Sequence, residues 1–348
     1  MLKYQYKYFL HKLLHWEFWS FGIVYFLVKC YYLLLSIRSR SFLFFTASNP
    51  GLENSGFIGE SKSMILDKIP SQYVPAYFKT NPVADINTIL KKIEQNNMLF
   101  PLIAKPDVGE RGRGVEKINN YADLYDYNKR IGVPYIIQQY IDYPVETGIF
   151  YYRLPNSTLG TISSIVLKDF LKVKGNGKSS LKQLIKDYPR AAFRFNYLHE
   201  KFKSRWNEIV PEGEEIVLEN IGNHVRGTTF LNGNFLITTT LKEKVNEIAM
   251  GIEGFYYGRF DIRCPAYEDL KQGKNLKILE LNGAGSEPAH IYQPGFSFWK
   301  GQKVLLKHWY ILYRISTMNH MSGYPYMRFG EALSVFRQHK LALSKIGV

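Results

Sequence analysis

Cysteine is nearly absent. Cys30 and Cys264 are the two in 348 residues, and they match no metal-ligand spacing, so neither a disulfide framework nor a zinc cluster carries this fold. A reducing compartment is the expectation. No low-complexity tract, Gly-X-Y period or internal repeat runs through the chain, and 46% hydrophobic with 22% charged residues excludes wholesale disorder. No module interleaving basic and aromatic side chains in a nucleic-acid-binding pattern is recognisable, so nucleic acid is not an expected partner. Acidic residues are the minority charge: 30 Asp and Glu stand against 45 Lys and Arg, a net charge of +15, which favours an anionic partner. The length leaves room for two or three domain units.

What is abundant is unevenly placed. Residues 1–45 hold 15 aromatic side chains, six basic residues (Lys3, Lys7, Lys12, Lys29, Arg38, Arg40) and one acid, Glu17. The apolar stretch from Phe18 to Ile37 has about the 20 residues a spanning helix needs. Lys29 near its middle, and Tyr25, Tyr31 and Tyr32 at the depth where hydrocarbon would be thickest, argue instead for an amphipathic helical segment lying in one leaflet, its cations drawn to anionic lipid. The competing reading packs this segment on the rest of the protein or into a homodimer interface. The region 1–48 is therefore set apart as a membrane-surface or interface element. His11 and His15, at i,i+4 spacing among aromatics, read as interfacial or packed side chains and not as metal ligands.

Beyond Asn49 a turn-rich stretch, NPGLENSGFIGESK, precedes an alternation of helix and strand patterns. ADINTILKKIEQN has helical spacing, MLFPLIAKP and PYIIQQYI read as strands, and YADLYDYNKRI reads as a helix between them. Later strands are expected near 147–153, 159–169, 214–220, 255–264 and 276–282, and helices near 179–188, 239–252 and 297–317. The class is mixed α/β.

Two constellations carry chemistry. In PLIAKPDVGERGRGV (101–115) a strand delivers Lys105 to its end, and Gly109, Gly112 and Gly114 permit a loop whose backbone N–H groups can point at phosphate, flanked by Arg111 and Arg113. The loop is neither GxxxxGK[ST] nor GxGxxG, and a solvated hairpin has the same composition. GRFDIR (258–263) and ILELN (278–282) end two strands, which can bring Asp261, Glu280 and Asn282 together. Glu280 and Asn282, two apart, share a strand face. Two carboxylates with an amide oxygen suit Mg2+, whereas carboxylates paired to Arg259 and Arg263 are the plainer arrangement.

In this order the two constellations resemble the ATP-grasp superfamily, most closely its carboxylate-amine ligases of the D-alanine–D-alanine ligase and cyanophycin synthetase type, over residues 60 to 310. The resemblance implies two α/β subdomains that hold ATP between them. It assigns 101–140 to the first and 141–318 to the second, with 49–100 a shortened lead-in and 319–348 a C-terminal extension. It makes Lys105 the phosphate-binding lysine, loop 109–114 the lid on the γ-phosphate, and Asp261, Glu280 and Asn282 the Mg2+ ligands. Arg259 becomes the arginine beside the reacting carboxyl. IIQQYIDYPVE (136–146) matches the hinge, placing Gln138 and Tyr140 beside adenine and Glu146 on the ribose, with glutamines where the family has an acidic pair and a turn one residue longer. KGNGKSSLKQLI resembles the segment of cyanophycin-type ligases from which Lys174 and Lys178 could reach phosphate, though Gly175–Gly177 also reads as a plain turn. Asn223, His224 and Arg226 are candidates for an acidic substrate, and Gly285 and Ser286 for the oxyanion turn. A Rossmann-like domain usually precedes the grasp domains, and 49–100 is too short for one. Glu60, Ser61 and Lys62 are then candidates for a differently built substrate site.

The leading expectation is an ATP- and Mg2+-dependent ligase, cytoplasmic and peripheral on the inner face of a membrane, joining a small or lipid-linked carboxylate to an amine through an acyl phosphate. Two alternatives stay open: a kinase on the same scaffold acting on a hydroxyl, and a non-catalytic basic protein that binds membrane or nucleic acid.

Overall fold

The computed structural model describes residues 15–110, 112–219, 222 and 227–346. The apolar N-terminal stretch breaks at Tyr25 into two helices, α1 (Phe21–Val24) and α2 (Phe26–Ser39). A short helix, α3 (Lys62–Leu66), starts at Ser61, whose hydroxyl accepts from Met64 N–H. There follow β1 (Tyr77–Thr80), α4 (Ile86–Gln95), β2 (Leu102–Pro106), β3 (Glu116–Ile118), α5 (Tyr121–Arg130) and β4 (Tyr135–Gln139). Asp85 and Asn120 cap α4 and α5 by accepting from Thr88 N–H and Asp123 N–H, the expected use of short polar side chains at helix starts.

These strands make a four-stranded antiparallel sheet in the order β1-β4-β2-β3. Its core joins Leu102, Ala104, Ile118, Tyr135 and Ile137 to Ile89, Ile93, Leu124 and Tyr127 of the two helices. The stretch 49–100 thus supplies α3, β1 and α4.

A second antiparallel sheet, ordered β11-β10-β5-β6-β9, is built from β5 (Val145–Tyr152), β6 (Thr161–Asp169), β9 (Thr229–Asn232), β10 (Tyr257–Cys264) and β11 (Lys277–Asn282). Four of these match expected strands to within two residues at each end. Between β6 and β9 a two-stranded ribbon, β7 (Lys172–Lys174) with β8 (Glu215–Val217), stands with α6 (Leu181–Asp187), α7 (Pro189–Ala192) and α8 (Phe195–Lys201). It has its own core around Leu181, Ile185, Trp206 and Val210.

Period-2 alternation gives the five-stranded sheet two different faces. Ile149, Tyr151, Phe260 and Ile262 point to the back, where α9 (Thr239–Met250) and α10 (Tyr267–Gln272) cover them through Leu241, Val245, Ile248 and Leu270. The front face carries Glu146, Gly148, Arg259, Asp261, Glu280 and Asn282. Its far end, at Phe150 and Tyr257, is closed by Leu35 of α2 and by Ile311, Leu312 and Ile315 of α11 (Phe298–Met321). A last helix, α12 (Phe329–Lys345), leads to Ile346, which enters the core of the first sheet. No helix among the described residues is long and apolar enough to cross a membrane.

Candidate functional site

Strand register assembles the front face. Asp261 is paired with Glu280 on one side and Gly148 on the other, and Arg259 is paired with Asn282. The side chains at 259, 261, 280 and 282 therefore emerge together, as the sequence spacing indicates. A chain of opposite charges crosses the sheet. Arg263 Nε donates to Glu146 Oε2 at 2.9 Å and Lys168 Nζ to Glu146 Oε1 at 3.0 Å; Lys168 Nζ lies 3.4 Å from Asp261 Oδ2, and Arg259 Nε donates to Asp261 Oδ1 at 2.9 Å. Burial works against the Asp261 carboxylate, but Arg259 and Lys168 overcome it and hold its pKa below the usual value. Burial likewise opposes the Lys168 ammonium, and Asp261 and Glu146 more than offset it. Such alternation is what lets several charges share a buried face.

The first sheet meets this face through β2. Lys105 Nζ donates to Gln138 Oε1 within its own sheet and to the Leu279 carbonyl of β11, each at 3.0 Å. Burial pulls its pKa down to about 8, with Lys62 adding to the effect while Glu280, Asp261 and Asp107 pull the other way. Lys62 Nζ donates to Gly109 O at 2.6 Å and lies 3.8 Å from Glu280 Oε1. Two lysines and two carboxylates, Asp261 and Glu280, thus converge where the sheets meet, together with Gln138, Asn282 and Arg259. Gln138 Nε2 and Asn282 Nδ2 are buried donors with no partner among the described residues. Glu60, also with a buried oxygen lacking a partner, has its pKa raised by burial, and Glu280 and Glu53 add to the rise.

The glycine loop is anchored at its start. Asp107 accepts from Ser61 Oγ and Ser63 N–H at 2.8 Å each, and pairs with Lys79 at 2.7 Å. Gly112 and Gly114 have positive φ, the conformation glycine adopts without strain. Arg113 N–H donates to Glu110 O in the same turn. Arg111 lies outside the described residues, as do Asn223, His224 and Arg226.

Other expected positions are differently engaged. Glu146, read as the ribose ligand, is saturated by Lys168 and Arg263, and a methyl group on Gly222 would come within 2.3 Å of its Oε1, so the chain closes over it. Tyr140 has Lys117 over its ring at 4.0 Å and Arg263 at 5.2 Å. Lys174 is exposed on the ribbon and forms no hydrogen bond or ion pair with the cluster, because that unit has a core of its own. Gly285 N–H already donates to Gly56 O, which ties the turn to 55–57, and Ser286 Oγ donates to Asn282 O and Gly283 O within the turn, so neither group stands free as an oxyanion donor. The residue that sequence reading missed is Lys168. Its one signal is a lysine on the same strand face as Ser164 and Val166, and which face that is depends on the fold.

No family model matches the sequence, and no curated protein is similar to it at a significant level. Solved structures are. They include D-alanine–D-alanine ligase from Bacillus anthracis (12% identity, TM-score 0.43, covering 76% of this chain and 69% of that one) and VanG D-Ala:D-Ser ligase from Enterococcus faecalis (13%, 0.43, 75% and 64%). A bifunctional glutathione synthetase from Pasteurella multocida also matches (13%, 0.38, 71% of this chain), and the chain spans 36% of that protein's length.

Proposed function

We propose that this protein is an ATP- and Mg2+-dependent ligase of the ATP-grasp kind, which joins a carboxylate to an amine through an acyl phosphate. The observation that carries the proposal is Lys105, a buried lysine on one sheet that bonds to the other sheet beside Asp261 and Glu280. A buried cation among carboxylates at the junction of two layers suits a phosphate chain held between them.

The donor set fits a hard cation: two carboxylates and a carboxamide from adjoining strands, with no partner of Glu280 nearer than Lys62 at 3.8 Å among the described residues. Asp261, Glu280 and Asn282 would hold Mg2+, which neutralises charge on the nucleotide phosphates. Lys105 and Lys62 bind phosphate oxygens beside Gly109, whose carbonyl accepts from Lys62, and the Nε2 of Gln138 supplies a donor to the nucleotide. Arg259 gives Nε and Nη2 to Asp261, and Nη1 has no hydrogen-bond partner among the described residues. From there it orients the substrate carboxylate and steadies the charge that develops as one carboxylate oxygen attacks the γ-phosphorus and ADP leaves. The amine then attacks the acyl carbon, the C–N bond forms, and phosphate departs.

Purified protein incubated with ATP, Mg2+, hydroxylamine and pooled carboxylates should form ADP and a hydroxamate, because a mixed anhydride is intercepted by a small nucleophile. ADP formed with a stable phosphorylated product and no hydroxamate would replace the ligase by a kinase. No turnover with any pool, together with intact ATP binding, would favour a protein that binds without chemistry.

A further inference from the structure

The layer that closes the far end of the front face has a second, outward side. α1 and α2 both lie against α11: Gln302 Nε2 donates to Val24 O of α1 at 2.9 Å, and the rings of Tyr32 of α2 and Trp309 stand 5.2 Å apart. Val24, Val28 and Leu35 turn inward. Phe21, Ile23, Phe26, Leu33, Leu34, Ile37 and Phe42 remain exposed in the same short stretch, joined by Trp299 and Tyr310 of α11. Scattered apolar side chains on a surface are ordinary, but a concentration like this marks a contact site.

Its charge identifies the occupant. No acid occurs between Glu17 and Glu53, nor between Glu287 and Glu331. Lys300, Lys303, Lys307 and Arg314 are exposed along α11, and Lys29, Arg38 and Arg40 accompany the N-terminal helices. None of these seven cations pairs with an acid among the described residues. Residues 1–14 contain Lys3, Lys7 and Lys12 and no acid, so they offer this face no counter-charge, and a second copy of the chain would set like charges against each other.

We infer that α1, α2 and the outer side of α11 form one docking face for an anionic lipid bilayer, the apolar side chains entering the headgroup boundary and the lysines and arginines meeting lipid phosphates. Apolar burial plus attraction to acidic headgroups is the physics of such a surface. The face also reaches the site, because Tyr25, at the α1–α2 junction, donates to the Glu287 carboxylate and shares a 2.9 Å hydrogen bond with Tyr292. Glu287 in turn lies close enough to Arg259 to act on its charge, so attachment through this face sets the Arg259 side of the front face near lipid.

Flotation of the full chain with vesicles decides it, and needs neither ATP nor catalysis, so its failure would leave the proposed ligase untouched. Binding is expected to vesicles of phosphatidylcholine mixed with phosphatidylglycerol and not to phosphatidylcholine alone. Phe26→Glu with Leu34→Glu should abolish it at unchanged melting temperature, both side chains being exposed. Lys303→Gln and Lys307→Gln should each weaken it about fivefold, from the roughly 1 kcal/mol per basic residue typical at such surfaces. No flotation with the acidic vesicles, or variants that float as the parent does, would overturn the inference. So would retention by a DNA duplex in place of vesicles.

Discussion

Lys105 holds its charge in a place that disfavours charge. Its pKa of about 8 lies below the ordinary lysine value of about 10.4, so the unfolded chain binds that proton more tightly. The penalty to stability is full below about pH 8 and is relieved as pH rises towards the unfolded value. ATP binding should run the other way, since phosphate needs the ammonium. The apparent Kd for ATP is expected to rise about tenfold per pH unit above about pH 8. Calorimetric titration across that range should show it, and Lys105→Met should bind weakly with no such dependence. Lys168 makes the complementary case. Lys168→Met leaves Glu146 with Arg263 and Asp261 with Arg259, but removes the cation between two buried carboxylates; the expected loss is about 3 kcal/mol in urea unfolding. Asp261 and Glu280 could be singled out as carboxylates at the ends of two strand patterns. Lys168 could not, because its partners are 22 and 93 positions away in sequence.

At the level of elements, the front face depends on a strand position that carries no side chain. A methyl group at Gly148 would lie 2.9 Å from Val166 Cγ1, 3.0 Å from Arg259 Cδ and 3.2 Å from Asp261 Oδ1. Gly148→Ala should therefore displace the Arg259–Asp261 pair. A cost of about 1–3 kcal/mol in stability and a much larger proportional loss of ATP turnover are expected, measured by thermal melting and ADP release. The segment after α12 acts on the glycine loop in a way its position as a C-terminal extension did not suggest. Ile346 is buried in the core of the first sheet, and a methyl group on Gly114 would come 2.9 Å from its Cγ2. Ile346→Ala should cost about 2–4 kcal/mol and raise the KM for ATP, because the loop loses the surface it rests on. Melting that falls with an unchanged KM would show that the loop is held elsewhere.

For the whole molecule, the N-terminal segment is as much part of the fold as of any membrane. Trp16 Nε1 donates to Phe296 O at 2.6 Å, Glu17 pairs with the buried Arg190 at 2.6 Å, and Trp16, Val24 and Val28 share a cluster with Ile291 and Leu305. Each such buried apolar side chain contributes roughly 1.5–3 kcal/mol. Trp16, Val24, Val28 and Leu35, four side chains in all, reach about 6–12 kcal/mol, within the range of about 5–15 kcal/mol typical of a whole domain. Deleting residues 1–40 should thus leave a protein that aggregates or elutes as an expanded chain on size exclusion. A truncated form that is monomeric, folded and fully active would mean the segment is dispensable to the fold.

Much of the alternation of helix and strand, the limits of β5, β6, β10 and β11, and the shared face of Glu280 and Asn282 are legible in sequence, since they depend on periodicity within a single element; β7 and β9, three and four residues long, leave no such period. Register between strands, the choice of face and the closure of loops over the face depend on contacts between distant positions. That is why Lys168 and Arg263 claim Glu146, why Gly56 claims the Gly285 N–H, and why Lys105 ends on a carbonyl 174 positions away. Local pattern determined which side chains could act together; the packing of the two sheets decided which of them do.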